Sequence, residues 1–348
     1  CILQLQSHTI SFLFITAPWA RANLWAEEKL LSDPEVIRTL NSKWIPVLVN
    51  RDRRPDIDLR YQVAVNAVRK GETGWPMLAM LLENGDLITG GGSYHLEDRR
   101  DQQGLRSLLK GMGERYPQMR EASTGNQEVV QKAFEREKGV FRAPEISMGL
   151  VEEVGSSMLT SLNKDYGGFG GAPRVPAPFA VELAGTLFQR IGNEAWLDVV
   201  STTLRGMERG AIFDRVGGGF HRTTLDEAWR IPEHEKLITY NSTILTNYLM
   251  AFEATGDEEY RLPAERTTDY ILESLTDPAG GFYVGQWAAS RADDPKGTFY
   301  AWTHAEFYGA LTPEQTRIAK SHFNVTEAGD VAIGPPERNL LYLAAPRA

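Results

Sequence analysis

Apolar positions in the first hundred residues come as short blocks separated by helix-periodic stretches. Residues 9–15 (TISFLFI) and 44–50 (WIPVLVN) are compact runs rich in β-branched and aromatic side chains, as buried strands require. Residues 77–82 and 87–89 repeat that character on either side of Asn84-Gly85-Asp86, a hairpin turn signal. Between these runs, residues 21–31 have helical composition. Residues 56–69 place Ile57, Tyr61, Val65 and Val68 at three- and four-residue spacing, the stripe of an amphipathic helix. Residues 102–116 close this part as a further helix. The predicted order is βαβαββα.

After a polar stretch around residues 121–127 the period changes. Helical patterns dominate at 145–162, 179–191, 194–209, 236–255 and 257–276. Three glycine-rich marks interrupt them: Asp165-Tyr166-Gly167-Gly168-Phe169, Asp214-Arg215-Val216-Gly217-Gly218-Gly219-Phe220, and Asp277-Pro278-Ala279-Gly280-Gly281-Phe282. Recurrence at roughly 50 to 60 residues is the mark of a repeated supersecondary unit, here two helices per glycine turn. The expected organisation is a first domain over 1–120, a linker over 121–142, and α/α hairpins over 143–348. Neither a G-K-S/T nor a G-x-G-x-x-G between strand and helix accompanies the glycines, so they read as structural turns rather than phosphate cradles.

Composition narrows the field. A chain of 348 residues can hold two cores. With 37 Lys and Arg against 46 Asp and Glu, the net charge of -9 argues against a general nucleic-acid binder. No apolar run approaches the ~18 residues of a membrane-spanning helix. Cys1 is the only cysteine, which precludes an internal disulfide and is compatible with a reducing compartment such as the cytoplasm. A start on Cys1 rather than Met reads as a sequence beginning inside a longer chain. The alternative is a processed, lipid-bearing cysteine, but a strand predicted within ten residues leaves it little tether. The six histidines are scattered without metal-ligand spacing, no G-x-S-x-G elbow exists, and no cofactor motif is present. No metal and no cofactor are expected.

The order βαβαββα is that of a minimal thioredoxin fold. Such folds place a cis-proline before the third strand, where this sequence has Gly74-Trp75-Pro76. They place Cys-x-x-Cys in the turn after the first strand, where it has Thr16-Ala17-Pro18-Trp19-Ala20. The sequence resembles the thioredoxin-domain-containing proteins of the spermatogenesis-associated type. Their pattern S-T-C-H-W-C-H-V-M, D-P-E-V, V-D-R-E-E-R-P-D-I-D and G-G-W-P is met here by Trp19, Asp33 to Val36, Arg51, Arg54-Pro55-Asp56-Ile57-Asp58 and Gly74-Trp75-Pro76. Both cysteines are replaced, by Ala17 and Ala20, and the histidines by Pro18 and Arg21. A second pattern, I-Y-D-x-x-G-G-G-F-H-R then R-W-x-V-P-H-F-E-K-M-L-Y-D-N, is met by Asp214, Gly217 to Arg222, Trp229, Pro232, Glu235, Lys236 and Asn241. Glu233 stands where the pattern has His, with His234 one place displaced, and Tyr240 stands where it has Asp. Two further acidic positions are Trp287 and Ala289.

The resemblance implies an α/β thioredoxin-like domain followed by an all-α (α/α) toroid like that of N-acylglucosamine 2-epimerases and six-hairpin glycosidases. In such toroids the Gly-Gly-Phe loops line a concave end that holds sugar. Only about three hairpins fit in the second half, so the toroid is expected to be incomplete and its helices covered by a protein partner. Thiol–disulfide exchange needs a thiolate, and alanine offers no nucleophilic atom. Ala17, Trp19, Ala20, Trp75 and Pro76 are therefore expected to form a degenerate redox site. His221, Arg222, Trp229, Glu235, Lys236 and Asn241 are candidate saccharide-binding residues. Each has a plainer reading: His221 bonding a loop carbonyl, or Glu235 with Lys236 as a structural pair. With acid/base positions missing from two motifs, no catalytic residue is assigned. The leading expectation is an interaction or scaffold subunit of a larger assembly. Its rivals are a sugar-binding or epimerase-like protein, and a redox-inactive chaperone gripping peptides near Trp75-Pro76.

Overall fold

Strand β1 (Ile10–Thr16) is buried along its whole length, and its side chains alternate between two cores. Phe12 and Phe14 join Leu30, Val36, Leu40 and Leu105; Leu13 and Ile15 join Val49, Val65 and Leu81. A strand covered on both faces needs no polar alternation, which is why TISFLFI reads as a continuous apolar run. It pairs parallel with β2 (Trp44–Asn50) and antiparallel with β3 (Met77–Leu81), which pairs antiparallel with β4 (Leu87–Gly92). The sheet order is β2-β1-β3-β4. This computed structural model describes residues 10–71, 73–92, 94–100, 102–114, 116–139, 147–287, 297–330 and 336–344. Cys1, Ala289 and residues 345–348 lie outside them. The chain divides near residue 145 into two compact units.

The helices of the first unit are α1 (Arg21–Ala26, running into a π-turn at Glu27–Leu31), α2 (Pro34–Lys43), α3 (Pro55–Arg69), α4 (Leu105–Glu114) and α5 (Tyr116–Gly139). Helix α2 is absent from the predicted order. Its buried stripe is only Val36 and Leu40, too thin to stand out as a period, and its start is set by chemistry instead. Pro34 sits in the first turn while Asp33 Oδ1 accepts from the amides of Glu35 (3.1 Å) and Val36 (3.0 Å). Asp33 also pairs with Arg106 of α4 at 2.5 Å, and that guanidinium holds its carboxyl at about 2. Residues 121–139, expected within a linker, belong to α5. There Val130 packs on the second core and Asn126 donates to the Ile88 carbonyl at 2.7 Å. The polar composition of this stretch belongs to the solvent face of a helix.

In the second unit, α6 (Met148–Ser161) precedes two helical hairpins, α7 (Pro178–Ile191) with α8 (Glu194–Arg209), and α9 (Ile238–Thr255) with α10 (Glu258–Ser274). Gly192 and Gly256 turn each hairpin in the left-handed conformation. Helix α7 packs on α9, two elements along, so the hairpins lie side by side. Trp196, Leu204, Phe220, Trp229, Ile244 and Tyr248 lie in their shared core. Short pairings β5 (Thr223–Thr224) with β6 (Pro232–Glu233), and β7 (Lys236–Leu237) with β8 (Gly285–Gln286), tie the loops together. A satellite core around Phe307 and Leu341 holds β9 (Trp302–Thr303), α11 (His304–Gly309), α12 (Pro313–His322) and β10 (Arg338–Asn339). No helix among the described residues is long and apolar enough to cross a membrane.

The three glycine marks share one construction. A main-chain bond closes each turn at 3.0 Å: Asn163 to Gly168, Asp214 to Gly219, and Asp277 to Gly281. The glycine pair before each phenylalanine has positive φ. In the first two turns the leading glycine is also pressed on a helix backbone. A Cβ on Gly167 would lie 2.3 Å from the Thr202 carbonyl of α8, and one on Gly218 2.3 Å from the Arg266 carbonyl of α10. A Cβ on Gly280 would meet nothing within 4 Å.

Candidate functional site

The turn after β1 carries methyl groups where a thioredoxin carries thiols. Ala17 is fully buried, and its amide donates to Asn23 Oδ1 at 3.1 Å. The Ala20 amide donates to the Ala17 carbonyl at 2.9 Å. Trp75-Pro76 is cis, as expected, and the Trp75 ring meets Trp19 edge-on at 6.0 Å. Several of the surrounding polar groups partner one another. Trp19 Nε1 donates to Asp52 Oδ2 (3.1 Å) and Trp75 Nε1 to Asp58 Oδ1 (2.8 Å). Arg51 pairs with Asp58 at 3.2 Å and lays its guanidinium 4.1 Å over the Trp75 ring. The Arg-Pro-Asp-Ile-Asp motif thereby acquires a structural role, since Asp58 serves Trp75 and Arg51 at once.

The second unit holds a pocket of about 290 Å³ between the Asp214 turn and residues 299–302 and 340–341. Asp214, His221 and Tyr300 meet Phe213, Phe299 and Trp302 in its lining. Glycine turn geometry presents Asp214, whose Oδ1 accepts from the amides of Val216 and Gly217 at 3.0 Å. Its other oxygen accepts from Lys236 Nζ at 2.6 Å, and Nζ also donates to the Gly218 carbonyl at 2.7 Å. Lys236 is buried between the rings of Tyr270 (4.5 Å) and Tyr300 (5.1 Å). Burial lowers its pKa and Asp214 opposes that shift.

His221 is 2% exposed. Burial, then the Lys236 ammonium and His234, push its pKa well below the usual imidazole value, so the ring is neutral at pH 7. His221 stands edge-on to Tyr300 at 4.7 Å and to His234 at 5.3 Å, while His234 and Tyr300 stack at 5.3 Å. Gly297, at φ 78°, lies so close to the His234 ring that a Cβ would fall 2.2 Å from Nε2. Among the described residues, His221 Nδ1 and the Tyr300 hydroxyl are buried and have no hydrogen-bond partner in the protein. A neutral imidazole can donate or accept at Nδ1, and a phenol can do both, so the pair suits a ligand with hydroxyl groups.

The six residues expected to bind saccharide separate. His221 lines the pocket, and Lys236 lies beneath it holding Asp214. Arg222 and Glu235 face each other at 3.5 Å, with the Arg222 amide on the Glu235 carbonyl at 2.8 Å. Trp229 and Asn241 are fully buried. Trp229 packs in the core with its Nε1 on the Tyr166 carbonyl, so no ring face is open to a sugar. Asn241 brackets Phe220, accepting from its amide (2.7 Å) and donating to its carbonyl (3.0 Å). Tyr300, Phe299 and Trp302 carry no motif. They reach the site from about 80 residues along the chain, where spacing has no predictive force. Of the further positions, Trp287 is half-exposed and Ala289 falls outside the described residues.

Residues 10–135 match the family model Thioredox_DsbH, described as a protein of unknown function, DUF255. Human spermatogenesis-associated protein 20 is 31% identical over 329 residues, covering 88% of this chain. The chain is a homologue of the spermatogenesis-associated proteins. It spans 42% of the human relative's length and 41% of the mouse relative's, so it corresponds to a part of them. Among solved structures, cellobiose 2-epimerase from Spirochaeta thermophila is 20% identical over 41% of each chain with a TM-score of 0.34. A DsbH oxidoreductase is 18% identical over 32% of this chain and 75% of its own, with a TM-score of 0.24.

Proposed function

We propose that this chain is a redox-inactive thioredoxin-like protein that acts as an interaction subunit, its helical array continuing onto a partner at the third glycine turn. The observation that carries it is the difference between that turn and the first two. Phe220 of the second turn is 0% exposed beneath its helix, whereas Phe282 of the third is 59% exposed. Leu272, Tyr283, Val284 and Trp287 are exposed around it, an apolar run of the kind that marks a binding surface. The occupant that fits is an amphipathic helix of a protein partner with small side chains at the crossing, as Thr202, Thr203 and Gly206 of α8 supply for the first turn. An interface of at least ~1,000 Å² is expected. Light scattering and affinity capture test the proposal: a complex should form with the native chain and be lost in Leu272→Glu/Phe282→Glu. A clean monomer that captures nothing, or capture indifferent to the double variant, would refute it.

A second reading, saccharide binding, is favoured by the unpartnered His221 Nδ1 and Tyr300 hydroxyl inside an aromatic-walled pocket. Calorimetry against neutral and N-acetylated hexoses should then give heat that His221→Ala removes, without epimerisation. Turnover lost in that variant would replace the interaction reading with an enzymatic one. The closed Trp19–Arg51–Trp75 cluster gives a peptide-gripping chaperone no support.

A further inference from the structure

The chain carries more acid than base, yet one concavity of the second unit reverses that balance. A pocket of about 420 Å³ is lined by Lys164, Arg205, Arg209 and Arg230 with a single acid, Asp165. The cations arrive from separate places: the first glycine turn, the C-terminal half of α8, and the loop before β6. A cation in the last turn of a helix complements its dipole, which accounts for Arg209, and Arg205 one turn earlier has acidic partners on α10 and its cap. Neither accounts for Lys164 and Arg230, which belong to no helix and converge on the same space.

Two of the guanidinium groups are held in place. Arg205 pairs with Asp257 and Glu259, each at 2.9 Å, so its charge is largely met. Arg230 lies 4.9 Å over the Tyr342 ring, with the Asp330 carboxyl close enough to feel its charge. Arg209 and Lys164 have no ion pair among the described residues. The Arg209 carbonyl accepts from the Leu343 amide at 2.8 Å, which fixes the wall formed by residues 343–344. The pocket floor includes Gly206 and Gly210, where any side chain would strike the Tyr166 carbonyl or Trp229.

We propose that this pocket is a binding site for a phosphate-bearing small molecule. Arginine forks match phosphate oxygens in pairs, Lys164 adds a point charge, and the volume holds more than a bare phosphate. The site is separate from the His221 pocket in its lining residues, and it depends neither on that reading nor on the partner surface.

The test is calorimetry of the full chain with inorganic pyrophosphate at low ionic strength. One saturable site is expected, weakening as salt rises because the contacts are ionic. Arg209→Gln/Arg230→Gln and, separately, Lys164→Gln should each weaken binding, the double variant at least about tenfold. Lys132→Gln, which removes one positive charge from the first unit, should leave it unchanged. Thermal unfolding checks that each variant folds, and the exposed Lys164 keeps the test informative if the double variant does not. No saturable heat, or equal loss in Lys132→Gln, would overturn the proposal. So would sulfate and acetate competing as well as pyrophosphate.

Discussion

The turn after β1 and the pocket beside His221 differ in how far their own polar atoms meet one another. At the first, two indole N–H groups, two carboxylates and a guanidinium pair with one another, and among the described residues Asn23 Nδ2 is a buried donor left without a hydrogen bond. At the second, His221 Nδ1 and the Tyr300 hydroxyl stay buried without a partner in the protein among the described residues. An unmet buried donor or acceptor costs about 1–3 kcal/mol, a penalty that a ligand or an ordered water relieves. The aromatic and charged groups around Ala17 and Ala20 thus largely face one another, while the pocket beside His221 keeps hydrogen-bonding capacity inside a cavity that an outside molecule can enter.

The sharpest way to break this comparison is to remove Lys236. It is the buried counter-charge of Asp214, and stranding a partly buried carboxylate costs about 3 kcal/mol. Lys236→Ala should show that loss in denaturant unfolding, and a neutral result would mean the pocket floor is not organised by this pair. Next, Asp58→Ala deprives Trp75 and Arg51 of their shared acceptor. A loss of about 2 kcal/mol is expected, with a change in tryptophan fluorescence. No change in either would show that the first site is not closed.

A smaller effect distinguishes the pocket by pH. The unfolded imidazole takes up a proton below about pH 6.5, whereas buried His221 resists until a much lower pH. A folded pKa below the unfolded one gives stability that is present above pH 6.5 and lost as pH falls below it. His221→Gln should flatten that part of the stability–pH curve; an unaltered slope would mean the ring is solvated. The smallest effect on stability is expected from Ala17→Cys/Ala20→Cys, which restores the thiols. The variant should form a disulfide detectable by mass, while the native chain should match the blank in insulin reduction. Failure of a folded variant to oxidise would place these residues away from a thioredoxin active turn.

Much of the helical half was legible because its burial is periodic. Residues 194–209 form a helix with the bounds their periodicity predicts, and the other four predicted helices shift by a few residues at their ends. Helix α2 was not legible, since two buried residues and an Asp-Pro cap make a weak pattern. The long α5 was hidden by its solvent-facing composition. Of the expected saccharide residues, Trp229 and Asn241 share a motif with His221 but serve packing and loop bracing, a distinction invisible in one dimension.

The amino-acid sequence carries whatever depends on residue identity and local spacing. It determined that alanines occupy positions 17 and 20, that glycine pairs recur before phenylalanines, and that strands and helices follow their two periods. Tertiary structure alone decided which polar groups meet. Arg51 could have faced solvent, and Tyr300 lies 79 positions from the His221 it abuts. It also decided that two glycine turns are covered and the third is bare, although all three carry the same local signal. The reason is physical: turn conformation is set by the few residues within it, whereas burial is set by whichever distant segment packs against it.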